Sequence, residues 1–342
     1  MMTGIAVVGA GHWGPHLVRN FNDHLSSQVL WVVEKDDVRR RAIGERFPSV
    51  ALTESLDDAL DDPRVDAVVV ATPTATHAAV AGAALSAGKH VMVEKPLADS
   101  IEASQGLVDL AQAKDLVLMV GHVFLFNPAY QAAKELIDQG HLGRIRYLSM
   151  VRTNLGPVRV DVNAAWDLAS HDISVANHWL DAQPVEVSAT GGSWLNEGVQ
   201  DVVFVTLKYP EGQMVHIEAS WLNPRKRRLA AVVGSDRMLT VDDMDLNEPL
   251  RVYDKGVVES SAHAVTDTFA GFRAQIREGE VRIPHVSAGE PLRRECEAFL
   301  DRVAGKPDSL SDGVTGLRVV AVLQAIDRSI EAGGAAVTVR EI

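Results

Sequence analysis

Residues 5–14 read IAVVGAGHWG, an apolar run that ends in glycines at positions 9, 11 and 14 with the spacing G-x-G-x-x-G. Ile5, Val7 and Val8 are β-branched and Ala6 is small, which suits a strand covered on both faces of a parallel sheet. In such a turn Gly9 lets the chain bend sharply, Gly11 leaves room for a pyrophosphate against the backbone, and Gly14 lets the next helix pack close to the strand. The pattern over 13–21 reads as that helix, its N-terminal amides free to meet phosphate. Pro15 falls in its first turn, where a missing N–H costs little.

Glycine turns also occur in βα units that bind nothing, so the surroundings decide. A second apolar run, 29–33, ends at Glu34, 20 residues beyond Gly14. That is where a dinucleotide fold places the acid that bonds the adenosine ribose hydroxyls. Cofactor contacts are therefore expected at Gly9, Gly11, His12, Trp13, Gly14 and Glu34. Glu34 would repel a 2'-phosphate, which favours NAD over NADP, although Lys35 and Arg39 stand close enough to weaken that preference.

At 342 residues the chain exceeds the usual size of one compact core, and two domains are expected. With 33 Lys and Arg against 46 Asp and Glu, its net charge of -13 argues against nucleic acid or an anionic membrane as partner. The single cysteine, Cys296, cannot form an internal disulfide and sits in a charged helical pattern, RRECEAF. It reads as an inert thiol, and no metal site is expected. The first strand follows the N-terminus directly, without a secretory leader pattern. Two uncharged stretches, 67–88 and 116–133, are interrupted by Thr-Pro-Thr and His77, and by His122 and Asn127-Pro128, so neither reads as a membrane span. A cytoplasmic location is the simplest expectation.

Past Glu34 a charged helix is predicted over 37–46, a short strand over 50–52, and a short helix over 55–60 with Asp57, Asp58, Asp61 and Asp62 on its exposed side. A central strand at 65–71, an alanine-rich helix to Ala87 with a stop at Gly88, and a strand at 90–93 follow. This βαβ order implies a doubly wound parallel sheet, with ligands at the carboxyl ends of its strands. The loop after 90–93 reads Glu94-Lys95-Pro96. By composition it is an ordinary surface turn; by position, Lys95 can donate to a substrate hydroxyl and stabilise a developing oxyanion. A helix at 100–114 and a strand at 117–126 complete a first domain, 1–126. The helix 129–139 opens a second, 127–342, in which strands at 146–154, 185–189, 202–209, 213–220, 228–233 and 237–241 build a mostly antiparallel sheet. Tyr209-Pro210-Glu211-Gly212-Gln213 reads as a hairpin turn. Amphipathic helices at 290–303 and 315–331 are expected to pack back on the first domain.

Between the first two strands of that sheet lies WDLASHDI, residues 166–173. If a helix starts here, Asp167 and His171 project from one face. An imidazole held by a carboxylate is a general base for removing a hydroxyl proton. The alternative is a capping acid and a satisfied core histidine. Asp172 and His178 read as a buried hydrogen-bonding acid and a packing residue.

Taken together, GAGHWG, the acid at 34, ATPTATH, EKP and WDLASHDI resemble the glucose-fructose oxidoreductase and inositol dehydrogenase family, Gfo/Idh/MocA, over nearly the whole chain. The resemblance implies a Rossmann domain followed by an α+β domain with an open-faced sheet, and catalytic roles for Lys95, Asp167 and His171. It further implies cofactor contacts near the nicotinamide ribose from Thr72, Pro73, His77, Glu94 and Lys95. GHWGPHLVRNF, SWLNPRKRR and VYDKGV are most similar to the branch acting on nucleotide sugars, whose best-known activity oxidises the 3-hydroxyl of a UDP-N-acetylhexosamine or its uronate. Some relatives run as ketoreductases with a Tyr for which no counterpart is identified here, so direction stays open. A free-sugar or inositol dehydrogenase is the alternative within the family, and a non-catalytic dinucleotide-binding regulator the alternative outside it. Substrate contacts are expected from Lys95, Arg152, Asn154, Arg159, Trp166, Asp167 and His171. Trp166 and Trp221 either stack on a sugar or base or belong to the core. The run 225–228, RKRR, either meets a diphosphate or is a solvated turn balanced by Asp242 and Asp243. The uncovered sheet face implies a homodimer or homotetramer.

Overall fold

A computed structural model describes residues 2–156, 158–257, 276–307 and 310–342. The chain forms two compact units, one of Met1–Phe126, Gly289–Gln324 and Ile342, the other of Asn127–Ala288 and Ala325–Glu341. Residues 289–324, placed in the second domain by the sequence reading, thus group with the first.

The first unit alternates strand and helix: β1 Thr3–Val8, α1 Gly14–Asn22, β2 Ser27–Val33, α2 Asp37–Arg46, β3 Ala51–Thr53, α3 Leu56–Leu60, β4 Ala67–Val70, α4 His77–Ser86, β5 His90–Glu94, α5 Ile101–Ala113 and β6 Leu118–Gly121. The strands pair in parallel in the order β3-β2-β1-β4-β5-β6. Order reverses between β1 and β4, the point where open sheets of this type leave a crevice beyond their carboxyl ends. Ile5, Ala6, Val7, all of β4, and Val91, Met92 and Val93 are fully buried, as strands covered on both faces require. Asp36 and Ser100 cap α2 and α5 through their side chains.

Two local readings are corrected. β6 stops at Gly121, and the remaining apolar residues, Val123–Phe126, form a 3-10 turn with Leu125 and Phe126 buried. A short apolar run marks burial without distinguishing strand from helix. Asp62 is not on an exposed face either: it accepts from Trp31 Nε1 at 2.9 Å and pairs with Arg64 at 2.6 Å.

The second unit contains α6 Pro128–Asp138, β7 Ile145–Thr153, α7 Ser170–Leu180, β8 Glu186–Gly192, β9 Val202–Lys208, β10 Met214–Ser220, β11 Arg227–Gly234, β12 Met238–Asp242, β13 Leu250–Tyr253, the small pair β14 Gly256–Val257 with β15 Ile276–Arg277, and β16 Val281–Arg282. After α8 Pro291–Val303 and α9 Gly313–Glu331 comes β17 Val337–Thr338. The nine-stranded sheet runs β16-β13-β12-β11-β7-β10-β9-β8-β17 and is antiparallel except at β7 and β10. Burial alternates along it. Leu148, Met150, Val203, Val205, Leu207, Val215 and Ile217 are fully buried, while Tyr147, Phe204 and Met214 are 45%, 46% and 49% exposed on the opposite face. Among the described residues one side is core and the other is open.

α8 groups with the first unit, where Phe299 meets Phe21 edge-on at 6.1 Å and Arg19 pairs with Glu290. The division between the units falls within α9. Among the described residues no helix is long and apolar enough to cross a membrane.

Candidate functional site

In the first unit the glycine turn has the shape its spacing predicts. Gly9 has φ +96°, and a Cβ there would lie 2.6 Å from the Ala71 carbonyl oxygen; one on Gly14 would lie 2.1 Å from the Gly9 carbonyl. Neither position accepts a side chain. A Cβ on Gly11 would meet nothing nearer than Arg39 Nη1 at 4.0 Å, so this glycine faces open space beside the start of α1. These residues fit a dinucleotide pyrophosphate. His12, Trp13 and His16 cluster edge to face at centroid distances of 5.8–6.0 Å, with Trp13 exposed.

Glu34 is bound directly to this turn. Its Oε2 accepts from the Ala10 amide at 2.6 Å, its Oε1 from the Asp36 amide at 2.9 Å, and its carbonyl from Arg40 Nη1 at 2.8 Å. The carboxylate is thereby oriented, and each oxygen retains lone-pair capacity for a ribose hydroxyl.

At the ends of β4 and β5 the expected nicotinamide-side residues divide. Thr72 and Pro73 lie on the loop leaving β4, and Thr76 Oγ1 donates to Pro73 O at 2.7 Å. His77, expected to contact cofactor, is 1% exposed, with Nδ1 2.8 Å from Pro96 O and Nε2 2.8 Å from Thr72 O. Its nitrogens face main-chain carbonyls of both loops and tie the loops together. Lys95-Pro96 is a cis peptide. Burial pushes the Glu94 carboxyl up to about 7 against the opposing pull of Lys95. Two further groups escaped the sequence reading. Burial and the charge of Lys95 push His122 down to about 3, which leaves it neutral, and burial with the nearby Glu94 raises Glu295 well above its ordinary value. Glu295 carried a signal: it stands between Leu292 and Phe299 on the apolar stripe of α8, where a charged residue is out of place.

In the second unit Asp167 sits in a single π turn, Ala165–Ala169, that runs into α7, and His171 lies in the first turn of α7 at 9% exposure. π turns concentrate at functional sites. The Asp167 carboxylate accepts from Trp221 Nε1 at 3.0 Å and Arg159 Nη1 at 3.3 Å. Arg159 also forks onto Asp161 and is partly exposed. Asn154, at the end of β7, is half-buried, its amide donating to Ser220 O.

Arg152 and Trp166, expected at the ligand, and Trp221, left open between ligand and core, are all buried. Arg152 forks onto Asp172 at 3.0 and 2.8 Å, with both side chains 4% exposed, and so bolts α7 to β7. Asp172 is thus the buried hydrogen-bonded acid expected from the sequence, with Arg152 as its partner. Trp166 is 8% exposed, its Nε1 bound to Asp327 Oδ2 at 2.7 Å, and Trp221 is 2% exposed. In the basic run, Arg228 pairs with Asp243 at 2.9 Å, whereas Arg225 and Lys226 are exposed.

Chemically, one unit offers a phosphate turn, a fixed acid and a lysine at a strand end. The other offers an imidazole four positions from an anchored carboxylate.

The family described as GFO_IDH_MocA, an oxidoreductase family with an NAD-binding Rossmann fold, matches residues 3–122, and its C-terminal domain matches 130–240. UDP-N-acetylglucosamine 3-dehydrogenase of Acidithiobacillus ferrooxidans is 30% identical over 339 residues, covering 97% of this chain and 98% of its own length. The solved structure of that enzyme, GnnA, superposes with a TM-score of 0.82 at 27% identity, covering 97% and 99% of the two chains. GenD2 from gentamicin A biosynthesis, solved in complex with NAD, gives 0.81 at 26% identity over 99% and 97%.

Proposed function

The chain belongs to the GFO/IDH/MocA oxidoreductase family, and from that premise we propose that it is an NAD-dependent dehydrogenase oxidising a secondary hydroxyl, C3, of a nucleotide-linked sugar such as a UDP-N-acetylhexosamine or its uronate. The observation that carries the substrate class is the full-length similarity to a UDP-N-acetylglucosamine 3-dehydrogenase. The anchored Glu34 carboxylate supports NAD over NADP, because a fixed negative charge repels a 2'-phosphate.

In this reading Gly9, Gly11, Gly14 and Glu34 hold the dinucleotide, and His12, Trp13, Thr72, Pro73 and Glu94 line it. When bound, the nicotinamide supplies the hydride acceptor. His171 takes the hydroxyl proton, Asp167 holds the imidazole in the basic tautomer, and Lys95 donates to the oxygen as it becomes a carbonyl. Arg159 and Asn154, at least partly accessible, remain the substrate contacts of the second unit. The exposed row Tyr147, Phe204 and Met214 supports association of copies through the open sheet face.

The test is a substrate panel. UDP-N-acetylglucosamine and its uronate should reduce NAD where myo-inositol and glucose do not, and His171→Ala should lower turnover by about 10^2 to 10^4 with NAD affinity kept. Turnover of free polyols alone would move the assignment to the inositol branch; NAD binding with no turnover on any of them would favour a regulator.

A further inference from the structure

We propose that Trp221 is a positioning residue for this reaction, its indole N–H setting the plane of the Asp167 carboxylate and, through it, the imidazole of His171. The proposal rests on the functional reading above.

The main chain around Asp167 is fixed independently of its carboxylate. Its amide donates to Asn163 O at 3.1 Å, while Asn163 Oδ1 accepts from the amides of Ala165 and Trp166, both at 3.1 Å. Asn163 Nδ2 and Trp166 Nε1 grip the two oxygens of Asp327 at 3.0 and 2.7 Å. None of this orients the carboxylate, because the torsion of an aspartate about its last bond is broad and roughly two-fold. Contacts on the oxygens must do it.

Two donors that reach the carboxylate oxygens differ in kind. Arg159 reaches Oδ1 at 3.3 Å from a side chain 32% exposed and shared with Asp161. Trp221 reaches Oδ2 at 3.0 Å from a ring that is 2% exposed. Its main chain is held as well: the Trp221 amide donates to Asp201 O at 3.0 Å, and the preceding residue, Ser220, pairs with both Thr153 and Val202 at the end of β10. Trp221 is thus a donor that cannot swing away. An indole N–H only donates and does not titrate, so it holds the carboxylate as an acceptor at every working pH. It also brings no positive charge to compete with a protonated imidazole, which a second arginine would.

The experiment combines Trp221→Phe, Asp167→Asn, the double variant and His171→Ala. A hydrogen bond to a charged group is worth ~1.5–3 kcal/mol, so Trp221→Phe should lower kcat by about 10- to 100-fold. KM for the sugar and NAD affinity should stay within about twofold, the scatter of independent sites. In the Asp167→Asn background the same change should cost less than about threefold, because its target is already altered. A second readout needs no dinucleotide: NMR titration of the His171 ring, whose midpoint should fall in Asp167→Asn and fall by less in Trp221→Phe. Wild-type kcat in Trp221→Phe, full additivity with Asp167→Asn, or an unmoved His171 midpoint would each overturn the proposal. If Trp221→Phe does not fold, the benzothiophene isostere of tryptophan, which lacks only the N–H, takes its place. Wild-type turnover in His171→Ala would sink the functional reading instead, and the ring titration would still decide whether Trp221 acts through Asp167.

Discussion

Replacing Asp172 with Asn, or Arg152 with Met, separates a substrate contact from a structural bolt. The two side chains share a forked pair of hydrogen bonds at 3.0 and 2.8 Å, each with 4% of its surface exposed. In Asp172→Asn one oxygen becomes an NH2 that faces the guanidinium donor to donor, and the cation stays buried with half its partner gone. Breaking such a pair from one side costs ~3–5 kcal/mol, because the surviving charge is left uncompensated. Replacing both, Arg152→Met with Asp172→Leu, should cost less than the sum of the single changes, since no charge is then stranded. Urea denaturation followed by tryptophan fluorescence reports on this half of the chain: Trp166, Trp179, Trp194 and Trp221 lie in the second unit and only Trp13 and Trp31 in the first. NAD affinity should be unchanged in all three variants. An Arg152→Met protein as stable as wild type, within ~0.5 kcal/mol, but with a raised KM for the sugar would refute the reasoning and return Arg152 to the substrate site.

Glu34→Gln keeps one acceptor for the Ala10 and Asp36 amides and removes the charge, so NAD affinity should fall by about 10-fold while the NAD to NADP ratio narrows, as equilibrium fluorescence with both cofactors would show; an unchanged ratio would contradict the specificity argument. Because burial lifts Glu94 to about 7 from 4.5, its contribution to stability is full below about 4.5 and is lost as pH rises through about 7. Glu94→Gln should therefore flatten the fall in urea midpoint across that window, and a wild-type slope in the variant would count against a proton held there. Tyr147→Glu with Met214→Glu places two charges on directly paired positions of the open face, and should shift the native mass towards monomer without loss of NAD binding; an unaltered mass would remove that face as the association surface.

The first unit was legible because two-sided burial writes itself as uninterrupted apolar runs, and because glycine, proline and capping residues punctuate them locally. The 37–46 helix has the expected bounds, and Gly9 and Gly14 prove intolerant of a Cβ. α7 was harder. It buries Ser170, His171, Asp172, Ser174 and Asn177 among its apolar residues, so polarity does not mark an outer face and the helical period blurs. β16 and β17 are two residues long and exist through pairing, with β13 and β8, that no local pattern announces.

The site follows the same rule. Glu34 could be read from its distance to the glycines, because both lie in one βαβ unit. Trp221 lies 54 residues from Asp167, Asp327 161 from Trp166 and Arg152 20 from Asp172. The place of Arg152 on the strand before Asp167 suggests a ligand contact, and the sequence leaves Trp221 open between ligand and core; the structure buries both, Arg152 against Asp172 and Trp221 against Asp167. His77, expected from the resemblance at the nicotinamide side, lies buried between the two loops with its ring nitrogens facing Pro96 O and Thr72 O.

Hydride transfer from the sugar carbon is tested most directly with UDP-N-acetylglucosamine deuterated at C3, NAD and the purified chain, with mass spectrometry of both products. Deuterium on the reduced dinucleotide and a sugar lighter by the label and one hydroxyl hydrogen are the predicted result. An oxidised sugar accompanied by unlabelled dinucleotide, or no oxidation of the nucleotide sugar at all, would contradict it.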